Sequence, residues 1–215
     1  MIDLKQEDFD AFFEAPFSAY GADSLYVSPM KGDLKSALSK IDNPLFRGDS
    51  DLTYFTAHDD GRVVGRITAH VHAESNAAFG TSEAYFGFFD CADNFEAAAA
   101  LLGAAEHWAR QRGFTSIVGN CNLTAMQQIG VVTDGFEHPA YTDQIYSPPH
   151  IHKLLEQAGY VAEFPMTTFQ TPIAPSADPI KLGPKQTEIL ANPEFQFAPI
   201  NVRTLADRLE DARII

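Results

Sequence analysis

Residues 84 to 121 constrain the fold more than any other stretch of this chain. Ala84 to Phe89 is almost wholly apolar and aromatic, which suits a strand in the middle of a sheet. After it, Phe95, Ala98, Leu101, Leu102, Ala105, Trp108 and Ala109 fall on one helical face, with Glu96, Gly103, His107 and Arg110 opposite. Asp93 as N-cap with Glu96 three residues on is a capping-box pattern, so the spacing predicts a helix over Asp93–Arg112, stopped by Gly113. Thr115 to Cys121 reads as the following strand. Strand, helix and strand together predict a parallel pair joined by a right-handed crossover. The fold class is therefore α/β, with a mixed sheet.

The flanking segments extend this plan. Asp8 to Tyr20 has Phe9, Phe12, Phe13 and Phe17 at helical spacing, and Pro16 is expected to break that element near its end. A short helix over about residues 34–41 and a hairpin follow, with Leu52–His58 and Arg62–His72 as arms and Asp59-Asp60-Gly61 as the turn. Beyond Cys121, residues 131–146 read as a hairpin-like excursion. Pro148-Pro149 opens a helix over His150–Ala158, and Tyr160–Gln170 reads as a strand. From Pro172 the composition shifts to Pro, Ala, Ser and Asp, as in a linker. The expected plan is one domain over 1–171, a linker over 172–194, and the start of a second, missing or truncated unit over 195–215. In that last part Phe195–Val202 reads as a strand and Thr204 as a helix cap.

Composition narrows the function classes. Apolar residues make up 45% of the chain, with 17 Phe, enough for a core without disulfide or metal staples. The 29 acidic and 15 basic residues leave a net charge of −14, which repels phosphate backbones and anionic lipid; no nucleic-acid or membrane partner is expected. The N-terminus is acidic and polar rather than signal-like, and two cysteines outside any metal-ligand spacing point to the cytoplasm.

Four segments carry a family resemblance. They are Asp59-Asp60-Gly61-Arg62-Val63-Val64-Gly65-Arg66-Ile67, Phe86-Gly87-Phe88-Phe89-Asp90-Cys91, Thr133-Asp134-Gly135-Phe136-Glu137-His138-Pro139, and Tyr146-Ser147-Pro148-Pro149. In this order they resemble the GNAT superfamily of N-acyltransferases, and more closely a bacterial GNAT-like family of longer, two-part proteins. The resemblance implies a GNAT-like fold with the central crossover, acetyl-CoA or another acyl-CoA as co-substrate, and no metal. It also implies that the two parallel strands splay to admit the pantetheine. Phe88, Phe89, Asp90 and Cys91 would form one side of that mouth, with Asn94 in the loop before the helix. Asn120 and Asn122 would stand opposite. The chain departs from the family pattern twice. The phosphate loop Asp90-Cys91-Ala92-Asp93-Asn94-Phe95-Glu96 has no glycine or arginine, and Leu155 occupies the place of the usual general-acid tyrosine.

The remaining candidates carry two readings each. Asn120 and Asn122 suit substrate amide recognition and equally suit capping of free backbone groups. Tyr141, on the excursion that could cover the cleft, is a further substrate-binding candidate, with core or lid packing as the other reading for it and for Tyr146. Cys91 and Cys121 face each other across the mouth, where acidic neighbours favour neutral thiols. His150 and Tyr146 are the candidate base and acid. His150 and His152 fall on different helix faces, and His70 and His72 share a strand face without an identifiable third ligand. The expected function is an N-acyltransferase moving an acyl group from an acyl-CoA-type thioester to a small-molecule amine. The alternative is a catalytically inactive GNAT-like ligand-binding or interaction module. A homodimer mate or a second domain is the expected protein partner.

Overall fold

The computed structural model describes residues 1–39, 41, 43–46, 51–124, 128–141, 144–169, 182–195, 201–203, 205 and 209. The chain divides into two units, Met1–Met166 and Thr167–Ile215. The first holds a five-stranded mixed sheet of β1 (Ile2–Gln6), β2 (Leu52–Asp59), β3 (Arg62–His70), β4 (Glu83–Cys91) and β5 (Ser116–Val118), in that order. Neighbours are antiparallel up to β4, whereas β4 and β5 are parallel, with Glu83 opposite Ser116 and Tyr85 opposite Val118. The helix α4 (Phe95–Gln111) joins the parallel pair. This is the mixed sheet with a parallel strand–helix–strand crossover that residues 84 to 121 predict.

Each sheet face carries its own core. On one, Phe86 and Phe89 pack with Ala98, Leu101, Leu102 and Trp108 of α4, and with Ile151, Leu154 and Leu155 of α5 (Pro149–Gln157). On the other, Phe12 of α1 (Phe9–Tyr20) and Leu34 of α2 (Lys31–Ala37) pack on Leu52, Tyr54 and Leu123. The hairpin turn has positive φ at Asp60 (47°) and Gly61 (80°), as a two-residue type I′ loop requires.

Several expectations need correction. Asn94, not Asp93, caps α4; its side-chain oxygen accepts from Glu96 N and Ala97 N at 3.0 and 3.2 Å. Asn and Asp cap about equally well, so the shift of one residue is small in energy. Pro16 does not end α1, which runs on to Tyr20. A proline removes the N–H that would bond the carbonyl four residues back, here that of Phe12, and Arg66 Nη1 donates to that oxygen instead at 3.0 Å. The polar start of the chain is the edge strand β1, and α3 (Ala73–Phe79) follows β3 directly. β5 is only three residues long, and no strand forms over 131–141, 144–147 or 160–169. In the second unit α6 (Pro184–Ala191) occupies part of the span read as linker and has no buried residue. The expected strand over 195–202 and the cap at Thr204 lie mostly outside the described residues. Among the described residues, no helix is long and apolar enough to cross a membrane.

Candidate active site

The site is built around an irregularity in β4. The pairing of β3 with β4 shifts register between Arg66 and Thr68, opposite Phe88, whose φ is +46°. A left-handed non-glycine residue costs about 1–2 kcal/mol, so the surroundings must hold it in place. Two side chains do so. Phe88 N donates to Asn122 Oδ1 at 2.5 Å, and Phe89 N donates to Asn120 Oδ1 at 3.2 Å. Between them Cys121 N donates to the Phe86 carbonyl at 2.8 Å, so residues 120–122 continue the line of β5 past its last paired residue. Asn122 is anchored in turn by Gln128, whose Oε1 accepts from Nδ2 at 2.9 Å. Gly87 permits this approach, because a Cβ there would overlap the Cys121 carbonyl oxygen. The two sides of the expected cleft mouth are thus brought together, and asparagine amides occupy the space between them. The grooves lined by Phe114, Ile117 and Tyr160 (about 270 Å³) and by Phe9, Lys35 and Tyr54 (about 350 Å³) include no residue of this mouth.

A buried charged cluster lies on the α1 side of the bulge. Arg66 and Asp90 are cross-strand partners, and Nε donates to Oδ2 at 2.7 Å. Arg66 Nη2 donates to the Tyr26 hydroxyl at 3.1 Å, and Tyr20 donates to Asp90 Oδ1 at 2.6 Å. The guanidinium also sits 4.8 Å from the Phe12 ring centre and 5.4 Å from that of Phe88. Burial opposes the Arg66 charge, but Asp90 and Tyr26 outweigh it and hold its pKa above the ordinary value. Burial, then the Asp90 charge, pushes the Tyr20 hydroxyl well above the ordinary tyrosine range, so it stays a donor. Asp90 therefore points into the core. Only Asp93 and Glu96 remain as exposed carboxylates at the start of α4. Arg66, Tyr20 and Tyr26 were not among the expected site residues. Their signal was a basic residue inside β3, away from its ends, with an acidic one near the close of β4.

This cluster gathers both expected acid–base candidates. The Tyr146 ring lies edge-on to Tyr20 at 5.7 Å and 6.1 Å from Tyr26, and the His150 ring is 6.2 Å from Tyr20. His150 Nε2 stands 2.8 Å from the Cys91 carbonyl oxygen. A carbonyl only accepts, so Nε2 carries the proton and Nδ1 is the basic nitrogen. His152 faces elsewhere and stacks on Phe136. Tyr141 is half exposed, its carbonyl accepting from Gln144 N. Burial raises the Cys91 thiol to about 12, helped by Asp90 and Asp93, and that of Cys121 to about 11, so both are neutral thiols. Leu155 is part of the apolar core.

No family model matches the chain. Over 159 residues, 73% of its length, it is 31% identical to Protein YghO of Escherichia coli (strain K12), and the match spans 40% of that protein. Over 150 residues, 69% of its length, it is 29% identical to the bacterial ceramide synthase of Caulobacter vibrioides (strain NA1000 / CB15N), spanning 39% of that protein. The chain thus spans about two-fifths of the length of the curated relatives it matches. Among solved structures it is similar to the aminoglycoside N-acetyltransferase AAC(6')-Iy in complex with CoA. There the identity is 13% and the TM-score 0.46, over 80% of this chain and 96% of that one. It is also similar to a ribosomal-protein-alanine N-acetyltransferase from Brucella melitensis biovar Abortus 2308, at 18% identity and TM-score 0.45, over 80% of this chain and all (100%) of that one.

Proposed function

We propose that this chain carries an N-acyltransferase site moving an acyl group from an acyl-CoA-type thioester to an amine. The observation that carries the reading is the pair of consecutive β4 donors, Phe88 N–H and Phe89 N–H. Side-chain carbonyls, not a neighbouring strand, satisfy them. Donors that donate to an amide oxygen in the closed state also suit the carbonyl oxygen of a thioester, whose developing negative charge they would stabilise. The amine nitrogen attacks that carbonyl, the C–N bond forms and the C–S bond breaks. His150 Nδ1 takes the proton from nitrogen, and Tyr146 supplies one to the leaving thiolate. The Arg66–Asp90–Tyr20 cluster positions both rings. A relative named a bacterial ceramide synthase supports a long-chain amino alcohol as the amine, since a ceramide is the amide of one.

The test is mass-spectrometric detection of amide and free thiol from acyl-CoAs of increasing length with a long-chain amine. Amide is expected, and His150→Phe should lower its rate about a hundredfold. A second reading, a non-catalytic module that binds a ligand or a partner, is favoured by the asparagines already filling the donor positions. Acyl-CoA binding with no amide from any amine would select that reading.

A further inference from the structure

Three polar atoms beside the β4 bulge have no hydrogen-bond partner: Thr68 Oγ1 and both ring nitrogens of His70. Both residues are fully buried, at 0% exposure, and two residues apart on β3 they share the α1-facing side of the sheet. Their polar neighbours are already paired. His72 Nε2 bonds the Leu123 carbonyl at 2.5 Å, the Tyr85 hydroxyl donates to Glu83 at 3.1 Å, and Arg66 serves Asp90, Phe12 and Tyr26. Tyr85 stacks on His70 at 5.8 Å, and Phe46, Leu52 and Leu123 make the wall apolar. Buried polar atoms without partners are rare in folded proteins, and three on one strand face call for an occupant.

The segment that fills the cleft mouth lies over the Thr68 end of this face. Thr68 pairs in register with Gly87, and the backbone of Cys121 and Asn122 lies where a Gly87 side chain would be. Residues 120–123 therefore cross the sheet beside Thr68. Withdrawal of this segment uncovers Thr68 together with the Phe88 and Phe89 donors; His70 follows two residues along the same strand face, against Phe46, His72 and Tyr85. The chemistry of the pair limits what can bind. Burial, reinforced by His72, lowers His70 to about 3, so its ring is neutral, with one N–H and one bare nitrogen. An anion would find no cation, since Arg66 is committed elsewhere. A bare ammonium could donate to the ring nitrogen and to Thr68, but would leave the ring N–H unmet. A hydroxyl beside the amine accepts from that N–H and completes the set.

We infer that Thr68 and His70 bind the hydroxyl-bearing head of the acyl acceptor, and so select an amino alcohol over a plain amine. The amine rests on the acyl-transfer reading; the place assigned to the hydroxyl rests on the unpaired atoms. The test compares equilibrium binding of sphinganine with that of octadecylamine, a saturated amine without hydroxyls, to the 215-residue chain in mixed micelles. Wild type should favour sphinganine about tenfold or more. His70→Phe and Thr68→Val should each bring the ratio near one by weakening sphinganine alone. Thr68→Val replaces an atom that bonds nothing, so it should not lower the melting temperature, and it decides the question if His70→Phe fails to fold. Equal wild-type affinities, or a ratio that Thr68→Val leaves intact, overturns the assignment. If the tenfold preference holds but no amide forms from sphinganine, the acyl-transfer reading fails and the site stands. If both amines bind and react alike, the site fails and acyl transfer stands.

Discussion

Arg66→Met is the perturbation on which the account of the buried cluster depends most. The substitution keeps an unbranched stem but removes three hydrogen bonds: to Asp90, to the Phe12 carbonyl and to Tyr26. Asp90 is left buried with Tyr20 still donating to it, and stripping one member from a buried ion pair costs about 3–5 kcal/mol. The Phe12 carbonyl cannot fall back on its own helix, because Pro16 has no N–H to offer; an orphaned buried acceptor costs about 1–3 kcal/mol. The two losses share one side chain, so a total of about 5 kcal/mol is expected, a drop of about 10–20 °C in melting temperature for a chain of this size. Urea denaturation followed by circular dichroism measures it. Two further variants separate the contributions. Arg66→Met with Asp90→Leu should recover most of the ion-pair loss, because no charge remains buried alone. Arg66→Met with Pro16→Ala should recover about 1 kcal/mol, since the alanine N–H reaches the Phe12 carbonyl. A single-variant loss under about 1 kcal/mol, or a charge-free double variant no more stable than the single, would refute the reasoning.

Two more predictions concern the bulge and the histidine beneath it. Gly87→Ala should destabilise the chain by about 1–3 kcal/mol, because the new methyl meets the Cys121 carbonyl, and it should speed hydrogen exchange at Phe88 and Phe89. Slow exchange at both amides in this variant would count against the packing described. His70 stays neutral down to about pH 3 in the folded chain, while an unfolded chain takes up a proton below about pH 6.5. Its contribution is therefore complete above that pH and lost on acidification, at up to about 1.4 kcal/mol per pH unit. Stability of His70→Phe should fall less steeply between about pH 6 and pH 4, and parallel curves for the two proteins would show the buried imidazole assignment to be mistaken.

What the sequence disclosed, and what it did not, follows from the range of the interactions involved. The α4 stripe was legible because Leu101, Leu102, Ala105 and Trp108 lie one turn or less apart along a single helix, so periodicity alone reports the buried face. The hairpin was legible because Asp60-Gly61 is a local conformational choice. β1 was not, since an edge strand with four exposed positions, three of them polar and the fourth Leu4, shows no alternation and exists only through pairing with β2. Pro16 misled for the same reason: the donor that replaces its missing N–H comes from Arg66, 54 positions along the chain from the Phe12 carbonyl it serves. At the site, the β4 and 120–122 segments were legible as facing each other, and Asn120 and Asn122 as cappers of free backbone groups. That those groups would be the β4 donors themselves was not, because it depends on the Phe88 bulge, which no local pattern announces.

The asparagines also bear on how an acyl donor could use a mouth that is already filled. Each side-chain-to-backbone bond contributes about 0.5–1.5 kcal/mol net, so freeing Phe88 and Phe89 from Asn122 and Asn120 costs about 1–3 kcal/mol. That lowers the apparent affinity of a donor by about five- to two-hundredfold relative to an open cleft. Such a cost delays binding without forbidding it, since a thioester carbonyl and an adjoining amide restore what the asparagines gave up. At the start of α4 Asp90 is paired with Arg66 inside the core, so only Asp93 and Glu96 face an incoming phosphate. In the proposed reaction, closure of the 120–123 segment would weaken donor binding more than charge does. The same closure lies over Thr68, next along the strand face to the buried His70 ring, so the closed state holds strain at the bulge and unmet polar atoms beside it. A ligand that meets those atoms recovers both when the segment lifts. Donor and acceptor would therefore favour the same open state, and each would tighten the binding of the other.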